Sequence, residues 1–222
     1  GVPTEYFKTG TAPGVAAKLR EAVSKLEELG AVCAEVTLPH IEYAPAAYYI
    51  ISSAEASSNL ARYDGVRYGL RVEAEDVLSM FKKTRSQGFG AEVKRRLMLG
   101  THVLSKDNYA DFYVKALQIR TLIKHDFERA LEEFDCLLTP TSPTVAFKVG
   151  EKADDPLAMY LSDIYTLPAN MTGLPAMSLP FGTADGLPVG LQFIARSFDE
   201  RTLLRVGYTL EQNTDQTKLQ PG

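Results

Sequence analysis

The first 38 residues limit the fold more than any other stretch. Gly1 to Phe7 reads as the end of a strand followed by a turn. Thr11 and Pro13 mark a helix start, because proline is tolerated in a first turn. Val15, Leu19, Ala22, Val23, Leu26 and Leu29 then recur at helical spacing, with Lys, Arg and Glu between them. Gly30 supplies a stop, since glycine takes the left-handed conformation without a Cβ clash. Val32, Ala34, Val36 and Leu38 alternate, which predicts a strand over Ala31 to Leu38. Strand, amphipathic helix, strand is a βαβ unit, so part of the sheet should be parallel. The chain begins Gly1-Val2-Pro3 with no initiator methionine, and it reads as a piece of something longer.

The middle of the chain reads as helical. An Ala- and Ser-rich segment from about Pro45 to Arg62 predicts a helix packed closely on its neighbours. Gly65 and Gly69 within Arg62 to Gly69 predict a loop. Shorter helices are expected at about Ala74 to Thr84 and Gly90 to Leu104. The longest is expected from about Asp107 to Phe134, with a stripe running from Tyr109, Phe112 and Tyr113 to Phe127, Ala130 and Leu131. It feeds a short buried strand, Asp135 to Leu138. Thr139 to Thr144 reads as a strand-end loop beside a pocket. A helix is expected at about Asp155 to Tyr165, interrupted after it by Pro168, Gly173 and Pro175. Strands Ala176 to Pro180 and Leu187 to Arg196 close the sheet, with Asp185-Gly186 as a hairpin signal. Asp199 should cap a last helix reaching Gln212. The polar stretch 213–222 reads as a frayed tail. No internal repeat or composition break marks a boundary, so 1–222 reads as one portion of an α/β domain.

Charge and cysteines exclude several classes. With 28 acidic and 24 basic residues the net charge is −4, which argues against a general nucleic-acid-coating surface. Cys33 and Cys136 sit in apolar surroundings and read as reduced thiols, not a disulfide framework. His40, His102 and His125 share no metal-ligand spacing. No apolar run approaches the roughly 20 residues needed to cross a bilayer, so a soluble, cytoplasmic (or organellar) protein is expected.

No complete catalytic signature is present. There is no phosphate-binding glycine loop, no HExxH and no GxSxG. Ser52-Ser53 and Ser57-Ser58 lie in a helical segment whose amides are committed to the helix, so they read as packing residues. What remains are the ingredients of a binding wall. Lys94-Arg95-Arg96 is either a solvated basic face or the source of one arginine that grips a carboxylate in bidentate fashion. Asp163 stands in an apolar stretch and is either exposed or aimed at an ammonium group. Tyr48 and Tyr49 are core aromatics or ligand contacts. An Arg with an Asp is the minimal pair for a free α-amino acid, but spacing alone does not bring these residues together.

Three separated blocks carry a resemblance. Pro168 to Pro180 holds an N-x-x-G-x-P pattern, followed by G-x-P-x-G-x-Q over Gly186 to Gln192. Glu55 to Gly69, Gly88 to Arg96 and Asp155 to Asp163 add to it. On these residues the chain resembles the C-terminal portion of the amidase signature family, up to the polar tail. Within the family it is most similar to the glutaminase subunits of tRNA-dependent amidotransferases.

The resemblance implies an α/β/α fold around a large mixed sheet and an amide hydrolysis run by a Ser–cis-Ser–Lys triad. No segment here matches the triad or its Gly/Ser-rich loop, so the fragment itself is expected to be inactive. The resemblance further implies that the substrate is glutamine, bound by Tyr48, Arg96 and Asp163. Arg96 would meet its carboxylate and Asp163 its ammonium, with Tyr49 the alternative to Tyr48. Released ammonia would pass to a partner B subunit that uses ATP and Mg and contacts tRNA, while a small C subunit wraps around the A subunit. No cofactor is implied in this chain.

Overall fold

A computed structural model describes residues 1–7 and 10–214. The chain divides into two compact units, one formed by Gly1–Pro45 with Arg120–Gly222 and the other by Ala46–Ile119. No helix among the described residues is long and apolar enough to cross a membrane.

The first unit is built on a mixed sheet. Strand β1 (Val2–Pro3) leads through a turn into helix α1 (Pro13–Glu28), which returns to β2 (Glu35–Val36), and β1 and β2 pair in parallel. The βαβ unit is therefore present. Its second strand is much shorter than the expected Ala31 to Leu38. Gly30, at φ +93°, and Ala31 still belong to the cap of α1: their N–H groups donate to the Glu27 and Leu26 carbonyls. On the partner strand, Pro3 has no N–H with which to lengthen the ladder. Val32 is consequently outside the strand and 92% exposed.

Strand β3 (Cys136–Pro140), β4 (Ala176–Ala184) and β5 (Leu187–Ala195) form an antiparallel sheet in the order β3-β5-β4. Gly1 joins it to β1: its N–H donates to the Cys136 carbonyl (2.9 Å), and its own carbonyl accepts from the Leu138 N–H (2.8 Å). Thr139 and Pro140 lie within β3, so the expected loop starts two residues later. Thr139 is fully buried. β4 outruns its expected end at Pro180 by continuing through an irregularity before Thr183. Asp185 (φ +51°) and Gly186 (φ +75°) turn the hairpin with the two left-handed residues that such a tight connection requires.

The sheet's two faces differ in chemistry. Leu138, Leu191, Phe193 and Ala195 form a core with Leu19, Ala22 and Leu26 of α1 and with Leu203 and Leu210 of α8 (Glu200–Gln212). Side chains alternate along a strand, so the other face takes Thr139, Gln192 and Ile194, all buried. As expected, Asp199 caps α8, accepting from the Thr202 N–H. Within the tail 213–222, positions 215–222 lie outside the described residues.

The second unit is helical. It contains most of α2 (Ala44–Asn59), then α3 (Val77–Gly88), α4 (Ala91–Val103) and the start of α5 (Lys115–Glu133). Ser53 and Ser57 of α2 face Gly100 of α4, which is the close packing read from their small size. The expected single helix from Asp107 is instead a π-helical turn, Tyr109–Val114, followed by α5. The wider turn breaks the apolar stripe, leaving Tyr109 and Phe112 over 40% exposed.

Candidate functional site

In the helical unit, α4 separates the basic triplet. Lys94 and Arg95 are exposed, whereas Arg96 is half-buried. Helical geometry turns successive residues about 100° apart, so adjacent charges meet different surroundings. The Arg96 guanidinium lies 5.8 Å from the centre of the Tyr49 ring. Tyr49 in turn meets Tyr48 edge to face, with centroids 5.2 Å apart. Glu92, one turn earlier, accepts from Arg96 Nε (2.9 Å) and also pairs with Arg95. The structure thus brings Arg96, Tyr48 and Tyr49 into one cluster, in which Tyr49 is the ring beneath the guanidinium. Glu92 escaped the sequence reading, although its i,i+4 spacing to Arg96 was a usable signal.

A planar cation resting on an aromatic face is held by the ring's quadrupole while its edge stays in the plane that a carboxylate needs. Such an arrangement can receive a ligand carboxylate with little reordering of the arginine.

Asp163 belongs to the sheet unit. The helix expected to run to Tyr165 stops early: α6 spans Pro156–Leu161, capped by the Asp155 carboxylate on the Ala158 N–H. A turn over 162–166 follows, and Asp163 is exposed on it. The Asp163 carbonyl accepts from the N–H groups of Thr166 (3.0 Å) and Leu167 (3.3 Å), which starts α7 (Leu167–Thr172). Pro168 therefore sits in a first helical turn and Gly173, at φ +73°, closes the helix, where the sequence suggested only an interruption.

The turn is tied down at both ends. Ser162 accepts from Lys152 Nζ (2.7 Å) at its hydroxyl and from Ser142 (3.3 Å) at its carbonyl. The Tyr165 carbonyl accepts from Gln192 Nε2 (2.9 Å), and the Tyr165 hydroxyl bonds to Thr11. Beside it is a cavity of about 420 Å³ whose walls include Glu5, Tyr6, Glu42, Ile164 and Tyr165. Burial pushes the Tyr6 and Tyr165 phenols up from their ordinary pKa, so both stay neutral donors at neutral pH. Gln192, Lys152 and Ser162 were not singled out from the sequence. For Gln192 the signal was available, as the one amide in an otherwise apolar strand.

Both cysteines are free and half-buried, and burial raises both thiols. They are poor nucleophiles, in line with the packing role read from their surroundings.

The amidase family model matches residues 1–204. The A subunit of the glutamyl-tRNA(Gln) amidotransferase of Moorella thermoacetica is 63% identical over 221 residues, covering 100% of this chain and 45% of that protein. Its counterpart in Desulforamulus reducens is 60% identical over 222 residues, covering 100% and 46%. Among solved structures, the same amidotransferase's A subunit from Thermotoga maritima matches with a TM-score of 0.75 at 40% identity, over 99% of this chain and 44% of that one. The chain spans about half the length of the curated relatives it matches.

Proposed function

The chain belongs to the amidase family, and on that premise we propose that it is the glutamine-recognising portion of the glutaminase subunit of a tRNA-dependent amidotransferase. The observation that carries the reading is Arg96. Of three adjacent basic residues it is the half-buried one, and its guanidinium rests over the Tyr49 ring in the posture of a carboxylate receptor. In this reading the glutamine α-carboxylate displaces or shares the Glu92 contact on Arg96. The α-ammonium is met by Asp163 on its braced turn. Tyr49 lies beneath the guanidinium, and Tyr48 packs edge to face on Tyr49.

The side-chain amide is cleaved by the Ser–cis-Ser–Lys triad of the intact subunit, which has no counterpart in these residues. The chain alone therefore binds without turnover. The freed ammonia goes to the partner B subunit, which activates the misacylated tRNA with ATP and Mg, and a C subunit completes the complex. The high identity to amidotransferase A subunits and the shared fold support this assignment.

The test is glutamine hydrolysis followed by ammonia release. The intact subunit carrying Arg96→Lys is expected to show a KM for glutamine raised about tenfold, because an ammonium cannot reproduce the planar fork. The 222-residue chain should release no ammonia. Robust turnover by the isolated chain, or an intact protein that cleaves aryl amides but not glutamine, would sink the proposal.

A further inference from the structure

We propose that Gln192 is a positioning residue for Asp163, acting through the turn at 162–166; this rests on the reading of Asp163 as the ammonium contact. Gln192 is buried in β5 between Leu191 and Phe193. A primary amide in such a place costs free energy unless its hydrogen bonds are made. Both of its N–H donors are used, one on Thr139 Oγ1 (3.0 Å) and one on the Tyr165 carbonyl (2.9 Å). A carbonyl can only accept, so the nitrogen end of the amide must face the turn.

Asp163 is exposed, and the ladder bonds of a strand or helix do not fix its place. Its carboxylate is aimed by the backbone of the turn, and the turn is anchored to the sheet where Gln192 grips Tyr165, two residues on. Lys152 and Ser142 hold the other end at Ser162. Thr139, in register with Gln192 on the neighbouring strand, fixes the amide in turn. The path runs from the sheet centre to the turn in one hydrogen bond, and from there two residues along the backbone to an exposed acid.

The test compares glutamine with glutaramate, which keeps the carboxylate and the amide but lacks the α-amino group. In the intact subunit, Gln192→Met should raise KM for glutamine about fivefold, leave kcat within about twofold and leave Ki for glutaramate unchanged. A general structural lesion would weaken both ligands together, and that result overturns the inference, as does no change in either. Asp163→Asn separates the role of the acid from that of the amide. If it spares glutamine, the ammonium reading fails and the inference falls with it. If it weakens glutamine alone while Gln192→Met does not, only the role of Gln192 is lost. Should Gln192→Met fail to fold, Lys152→Met releases the same turn from its half-buried end. A rise of about threefold in KM, again for glutamine only, supports the inference; unchanged constants refute it.

Discussion

Gly100 shows how much can rest on a missing side chain. A Cβ at this position would lie far inside contact distance of the Ser53 carbonyl oxygen, and it would also press on Ser57. Neither helix can give way without moving backbone, so Gly100→Ala should destabilise the helical unit by about 3 kcal/mol, read from urea denaturation. Asp64 is a counterpart in a loop, with its side chain largely covered. Its carboxylate accepts from the Val66 N–H (2.9 Å), then from Arg67, and these bonds lower its pKa from 3.8 to about 2. A depressed acid contributes stability that is complete above its unfolded value and lost as pH falls through the folded one. Carbon-13 titration of the carboxyl should therefore place its midpoint near 2, and Arg67→Ala should raise it. A midpoint at 3.8 would mean that the loop is not ordered in this way. Arg96 marks where residue chemistry alone ends at this scale: its type was legible, but its choice over Arg95 came from the family resemblance, because chemistry alone does not say which neighbour the helix turns towards Tyr49.

At the scale of elements, caps and turns were the most legible features, because they depend on one or two residues. Asp199, Gly30 and Asp185-Gly186 all act where the chain's chemistry places them. Asp199→Ala should cost about 1 kcal/mol, since the Thr202 N–H and hydroxyl both lose their acceptor. Lowered thermal stability without any change of fold would confirm it; an unchanged melting temperature would show that the cap contributes nothing. Lengths were less legible. β2 is cut to two residues by the cap before it and by Pro3 opposite, and neither restriction can be seen in the alternation of Val32 to Leu38 itself. The π-helical turn at Tyr109–Val114 was hidden for a different reason. Apolar residues continue through it at nearly helical spacing, so the extra residue per turn leaves no mark on the pattern. The turn bearing Asp163 was read as helix on the same ground: Leu161, Ile164 and Tyr165 keep helical spacing after the backbone has left the helix.

Across the whole molecule, β5 is the strand on which the sheet unit is assembled. It pairs on both edges, and Leu191, Phe193, Ile194 and Ala195 are almost fully buried. Its central amides should exchange with deuterium most slowly in the chain, and those of β4, which among the described residues pairs on one edge, faster. If β4 were equally protected, an additional strand or chain would have to cover its other edge. The sheet order was the least legible property of all. Alternation marks a strand but not its neighbour, and Gly1 finds its partners 135 residues away at Cys136 and close by at Leu138. That separation has a consequence in time. During synthesis at roughly 5–20 residues per second, β1 emerges on the order of ten seconds before β3 exists. In that interval β1 can already pair with β2, across α1, before β3 is there to receive the Gly1 hydrogen bonds.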